Sequence, residues 1–205
     1  MADHIIRDLA SLEALYGEVN EVSALKEVSY LHPHYAEFVK ASPFAVLATA
    51  GPHGLDASPR GDPAGFVEIV DDNTLLLADR RGNNRIDSLR NIIADPHVAL
   101  LFLVPGVGET LRVNGTAEIS VDPDLLARFA INDKAPRTML VVHIDSVFFQ
   151  CSRALIRSEL WNPARHIDRK ALPSTGQMLA AVTDHRIDGE TYDRELPPRL
   201  KATLY

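Results

Sequence analysis

The sequence predicts a mainly β fold of the α+β type, with about six antiparallel strands in a β-barrel and short helices around it. Three observations predict it. Short apolar or alternating runs recur between residues 44 and 149, separated by clusters of Gly, Pro, Asn and Asp. The turns between most of these runs are short, which pairs neighbouring strands antiparallel. The one basic turn that feeds a helix is not a Gly-rich βαβ loop, which weighs against a Rossmann sheet.

Each element has its own signal. Residues 4–16 carry Ile5, Ile6, Leu9, Leu12 and Leu15 at helical spacing and predict an amphipathic helix. A second helix is expected over 32–40, with Pro33 in its first turn. Residues 44–50 form an apolar strand, 51–54 a Gly-Pro-His-Gly turn, and 55–60 the returning strand. Asp62-Pro63-Ala64-Gly65 then breaks the chain. A hairpin follows, with strands 66–70 and 74–78 around Asp71-Asp72-Asn73.

The next helix is expected over 85–94, with Asn84 as its N-cap and Asp87 in the capping-box position. Pro96 limits its far end. The unbroken apolar run 98–104 predicts a strand buried on both faces. A loop at 105–108, a long strand at 110–120, a helix over 122–130 and a last strand at 139–149 complete the barrel. From Cys151 onward the chain reads as helical or irregular. Its charged, Pro-punctuated tail at 184–205 is expected to be mobile or to wrap a partner.

The chain has 205 residues, 46% hydrophobic and 24% charged, which fits one globular domain with a substantial core. The expected layout is N-terminal helices over 1–42, a barrel over 43–150 and a C-terminal segment over 151–205. A net charge of −7 argues against a nucleic-acid partner. A single cysteine, Cys151, excludes an intramolecular disulfide and a Cys-based zinc site within one chain. No apolar run approaches the ~20 residues that span a bilayer, and the first residues are too charged for a secretory signal. A cytoplasmic protein without membrane partners is expected.

The chemistry concentrates at residues 79–112. Arg80, Arg81 and Arg85 crowd a turn that opens onto a helix, and such a turn suits a phosphate group. Arg85 and Asn84 offer guanidinium and amide donors, as the phosphate of a flat cofactor requires. A solvated surface turn, with Asn84 only a cap, fits the position alone equally well. Ser58-Pro59-Arg60 reads as a cofactor-lining strand, with Ser58 as a hydrogen-bond donor and Arg60 as an anion holder. Glu109 with Arg112 also reads as a surface ion pair. His143 and Asp145 share a strand face without a third ligand, so no metal site is expected. Cys151 has no partner histidine and reads as a small packed hydrophobe.

Three segments carry a family resemblance: Ser58-Pro59-Arg60-Gly61-Asp62, then residues 82–92 (GNNRIDSLRNI), then 105–115 (PGVGETLRVNG). In this order and spacing they resemble the pyridoxamine 5′-phosphate oxidase-like, FMN-binding split barrels over residues 40–150. The resemblance implies a six-stranded split barrel, FMN as cofactor, and a homodimer with FMN at the subunit interface. It implies cofactor contacts from Ser58, Pro59, Arg60, Ala78, Asp79, Asn83, Asn84, Arg85, Thr110, Arg112 and Trp161. It assigns no catalytic residue.

The true oxidases carry Ser-Arg-Lys at the phosphate turn, where this chain has Asn83-Asn84-Arg85. They carry a glutamine near the flavin, where this chain has Thr110. Their C-terminal Arg-Leu-His-Asp-Arg run is only echoed by Arg165-His166-Ile167-Asp168-Arg169. The expected function is therefore a flavin-dependent oxidoreductase acting on a small molecule other than pyridoxamine phosphate. The alternatives are a flavin carrier, or a deazaflavin- or haem-binding relative.

Overall fold

The computed structural model describes residues 4–52 and 54–205. Helices α1 (Leu9–Tyr16), α2 (Glu21–Leu25) and α3 (Pro33–Ala41) precede strands β1 (Phe44–Gly51), β2 (Gly54–Gly61), β3 (Val67–Asp71) and β4 (Thr74–Asp79). Helix α4 (Asp87–Ala94) leads into β5 (His97–Leu103) and β6 (Thr110–Ser120). Helix α5 (Pro123–Arg128) precedes β7 (Thr138–Gln150), and α6 (Arg153–Ser158), α7 (Thr175–Val182) and α8 (Gly189–Ala202) follow.

The strands form one antiparallel sheet in the order β2-β1-β5-β6-β7-β4-β3. Seven strands form, one for each run read from the sequence, where the barrel as a whole was expected to have about six. The Asp62–Gly65 break separates β2 from β3 so fully that they become the two opposite edges of the sheet. The two edges do not pair, so the barrel stays split, and the seam lies between β2 and the end of β4. Arg60 on β2 and Asp79 on β4 come within 4.0 Å across it.

Alternation sets the inside of the sheet. Leu47, Leu75, Leu77, Leu100, Phe102, Leu111, Val113, Leu140, Val142 and Val147 are buried there, with Leu31 and Val39 from the α3 region packed against them. The β5 run is buried on one face only. Val98, Leu100 and Phe102 are buried, while Ala99, Leu101 and Leu103 stay half-exposed. A continuous apolar run thus hid an ordinary alternating strand.

Helix α4 seats on β1 and β2, with Ile92 buried and Asn91 Nδ2 donating to Thr49 Oγ1 at 3.0 Å. Gly51 makes that approach possible, since a Cβ there would lie 2.1 Å from Asn91 Oδ1.

Several expectations are corrected. The first helix begins at Leu9 rather than residue 4, and Leu9, Leu12 and Leu15 face outward. Asn84 does not cap α4. It has φ 61°, Ile86 occupies the N-cap at φ 52°, and the helix has no side-chain cap. The tail holds a helix, α8, that contains Pro197 and Pro198. Cys151 is exposed rather than packed. The expected turn at 51–54 falls partly on His53, outside the described residues.

Candidate functional site

The seam holds a cavity of about 970 Å³. Its walls are β2, the end of β4, the loop at 80–86, the first turn of α4, and the start of β7. Phe66, Leu77, Ala78, Pro59 and Pro63 give it apolar surface, and Arg60, Arg80, Arg81, Arg85 and Arg137 bring positive charge. Asp56, Asp62, Asp79 and Asp87 oppose them, so the lining carries a net +1 (five arginines less four aspartates) in a chain of −7. A locally positive, half-apolar cleft suits a flat ligand with an anionic end.

Eight of the expected site residues meet here: Ser58, Pro59, Arg60, Ala78, Asp79, Asn83, Asn84 and Arg85. The other three lie outside the cavity of this chain. Thr110 Oγ1 donates to Gln150 Oε1 at 3.2 Å, Arg112 stacks over the Phe148 ring, and Trp161 Nε1 donates to the Val107 carbonyl at 2.8 Å.

The basic turn at 80–86 is built from unusual backbone. Asn84 and Ile86 both adopt positive φ, and for a β-branched residue such as Ile86 this is a strained conformation. The intrahelical ladder of α4 begins with the Arg90 N–H on the Ile86 carbonyl at 3.0 Å. Asp87, Ser88 and Leu89 of the first turn line the cavity, and no side chain caps the helix start. Arg85 extends beside them, paired with Asp87 at 2.8 Å, and Arg137 Nη1 donates to Asn84 Oδ1 at 3.1 Å.

A hydrogen-bonded chain lines the β2 wall. Asp56 Oδ2 accepts from Ser88 Oγ at 2.5 Å and from Ser58 Oγ at 2.8 Å. Arg60 Nη2 donates to Ser88 Oγ at 3.2 Å. The Ser88 hydroxyl, aided by Ser58 and the nearby guanidinium groups of Arg60 and Arg85, holds the Asp56 carboxyl below the ordinary carboxylate range against its burial. Across the seam, burial pushes the Asp79 carboxyl above that range, and Arg60 and Arg137 pull it only partway back.

Two buried donors have no partner among the described residues, Arg60 Nε and Thr138 Oγ1, and both residues line the cavity. Native proteins seldom leave such groups unpaired. With the basic lining and the uncapped helix start, the residues present fit a polar, anionic cofactor.

Arg80 plays another part than expected. Its Nε donates to Asp62 Oδ2 at 2.9 Å and its Nη1 to the Phe129 carbonyl at 2.6 Å, which makes it a post between β2 and α5. Asp56, Ser88, Arg137, Thr138 and Tyr205 were not anticipated in the site. Ser88 and Asp56 belong to the quoted motif region or its border, while Arg137 and Tyr205 carry no local signal. His143 and Asp145 are exposed, and no cluster of three metal-binding side chains occurs among the described residues.

An antiparallel, unclosed barrel with its cleft at the seam is a split barrel. The chain belongs to the pyridoxamine 5′-phosphate oxidase family, whose model matches residues 31–151. Solved structures similar to it include HupZ of Group A Streptococcus, at 20% identity and TM-score 0.45, covering 57% of this chain and 90% of that one. A protein related to general stress protein 26, of the pyridoxinephosphate oxidase family from Clostridium acetobutylicum, matches at 15% identity and TM-score 0.45, covering 58% and 86%. An FMN-binding protein of Syntrophomonas wolfei matches at 15% identity and TM-score 0.42, covering 68% and 96%. No curated protein matches the chain.

Proposed function

We propose that this chain binds FMN in the seam cavity and serves as a flavin-dependent oxidoreductase on a small molecule. The observation that carries this is the convergence of an uncapped helix start, a strained basic turn and two unpartnered buried donors on one cleft. Arg85, Asn84 and the first-turn N–H groups of α4 hold the phosphate. Ser58, Pro59, Ala78 and Asp79 lie along the ring. Arg60 and Thr138 line the wall beside its oxygens. FMN, when bound, supplies the redox chemistry. The protein orients it, and Arg60 opposes negative charge that gathers on the reduced ring.

The chain works as a homodimer and as one domain over 1–205. Exposed Leu9, Leu12, Leu15, Val19, Val22 and Leu25 give a second copy apolar surface to cover. That copy then supplies Thr110, Arg112 and Trp161, which lie outside the cavity of their own chain. Among the described residues no helix is long and apolar enough to cross a membrane, and the cytoplasm is the proposed location. Pyridoxamine phosphate is not the substrate, because the oxidases' C-terminal run is not reproduced after Gln150.

Titration of ligand-free protein with FMN and riboflavin, followed by flavin fluorescence, tests the cofactor reading. FMN binds more tightly if the turn is a phosphate site. Equal affinity for riboflavin overturns it. Sedimentation of the loaded protein at micromolar concentration tests the dimer.

A further inference from the structure

Four carboxylates line the seam cavity, and three of them are engaged. Asp56 accepts from the Ser88 and Ser58 hydroxyls. Asp62 accepts from Arg80 Nε at 2.9 Å and from the Tyr205 hydroxyl at 2.6 Å. Asp87 accepts from Arg85 Nε at 2.8 Å. Asp79 stands apart. Its side chain accepts no hydrogen bond from the described residues, and the one basic group that comes as near as 4.0 Å is Arg60 Nη2. Thr138 faces it in the β4–β7 register, yet the Thr138 hydroxyl is unpartnered and donates nothing to it.

Little else offsets the Asp79 charge. On the 80–86 loop, Arg80 is committed to Asp62 and Arg85 to Asp87, while Arg81 makes no ion pair among the described residues. Arg137, just ahead of β7, donates to Asn84. On β3 and α5, Glu68 and Arg128 pair with each other, and neither lines the cavity. Arg60 and Arg137 are the cations that reach Asp79, and they offset its charge incompletely, so burial keeps the carboxyl above the ordinary carboxylate range. The side chain is still 24% exposed, which lets water solvate its charged form in the ligand-free protein.

We propose that Asp79 is the proton-uptake site of the cavity: as a flat anionic ligand enters, this carboxylate takes a proton from solvent, and it returns the proton when the ligand leaves. This rests on the FMN reading above, which lays the ring along Asp79. Three effects push the same way. The ring displaces the water that solvates the carboxylate, its oxygens draw on Arg60, and the phosphate brings negative charge into a lining that carries only a net +1. Each disfavours the charged carboxylate and favours the neutral acid. The proton adds to a carboxylate oxygen, and the acid then has an O–H to donate. Binding is thereby coupled to pH, because a ligand that raises the proton affinity of Asp79 is itself bound more tightly by the protonated form.

The test is calorimetric titration of ligand-free wild type and Asp79→Asn with FMN, from about pH 5 to neutral, in buffers of different ionisation enthalpy. The amide is the neutral counterpart of the acid and cannot take the proton. Wild type is expected to take up a fraction of a proton per FMN that Asp79→Asn does not. Asp79→Asn is expected to bind FMN about tenfold more tightly than wild type at neutral pH, the equivalent of one pKa unit of coupling, with the two affinities converging as pH falls. The second ionisation of a phosphate group lies at about pH 6, but it belongs to the ligand and cancels between the two proteins. Equal proton uptake by the two proteins overturns the proposal and leaves the FMN reading intact. An Asp79→Asn protein that binds FMN no more tightly than wild type at neutral pH does the same. If neither protein binds FMN, both readings fall.

Discussion

Ser88 places its hydroxyl 2.5 Å from Asp56 Oδ2, and this contact joins the first turn of α4 to β2. Ser88 is buried, so its side chain has no water to fall back on. The Ser88→Ala change removes the hydroxyl and leaves the Asp56 charge and an Arg60 donor less well paired, at a cost of ~1–3 kcal/mol. The sign with pH follows from Asp56. Its folded-state carboxyl sits below its unfolded value, so its stabilisation is present above the unfolded pKa and is lost as pH falls through the folded one. The stability gap between wild type and Ser88→Ala should therefore be open at neutral pH and close below about pH 4, near the unfolded aspartate value. Urea unfolding at several pH values measures this. A gap of the same size at both ends would show that the contact does not act through the Asp56 charge.

Arg85 is 75% exposed, and its pair with Asp87 contributes little to the fold. Arg85→Ala should leave the melting temperature nearly unchanged. It should weaken FMN binding by about tenfold to a hundredfold, the loss of one charged hydrogen bond. Riboflavin, which lacks the phosphate, should bind the variant and wild type alike. Asp87→Asn should act in the opposite direction, because Asp87 competes with an anion for Arg85. An FMN affinity that both substitutions leave untouched would move the phosphate away from this turn.

The parts of the site that were legible are those whose signal is local. Arg85 and its asparagines sit in a run that reads as a basic turn before a helix, and Ser58-Pro59-Arg60 lies on a strand ending at a clear break. The misreading of Asn84 has a geometric cause. Asn is a common cap and also tolerates the left-handed region, and here it takes the second role. Tyr205 was beyond reach because it meets Asp62 across 143 positions with no periodic pattern to announce it. The sheet order was hidden for a similar reason. Nothing in the short Asp62–Gly65 break says that the strands on either side become opposite edges. The doubly buried reading of 98–104 failed because composition alone does not say which face of a strand is covered.

Asp79 gives a pH effect of the other sign. Burial raises its folded-state carboxyl above the unfolded value, so the folded protein holds that proton more tightly. Stability then declines as pH rises through this window, since the native state binds more protons than the unfolded one. Asp79→Asn removes the buried charge and should make the ligand-free protein more stable than wild type at neutral pH. The advantage should disappear below the unfolded aspartate value of about 3.9. Thermal melts at neutral and acid pH decide it. A variant less stable than wild type at neutral pH would mean that Asp79 contributes more through Arg60 and Arg137 than its burial costs.

Gly115 tests the core of the barrel. It lies on β6 where the pairing with β7 shifts: Asn114 faces Ser146 but Gly115 faces Ile144, which leaves Asp145 as the extra residue of a bulge. The bulge brings the two backbones close. A Cβ on Gly115 would stand 1.9 Å from the His143 carbonyl oxygen and 2.9 Å from its carbon. The obstacle is backbone, so no rotamer change relieves it. Gly115→Ala must part the longest strand pair in the sheet, and the cost should exceed the ~1–3 kcal/mol usual for overpacking. Gly106 is the control. It has φ 85°, and no atom lies within 4 Å of a Cβ built there. Gly106→Ala therefore meets only the left-handed strain of ~1–2 kcal/mol. Denaturant unfolding of the two variants should rank Gly115→Ala well below Gly106→Ala, and the reverse order would contradict the β6–β7 register.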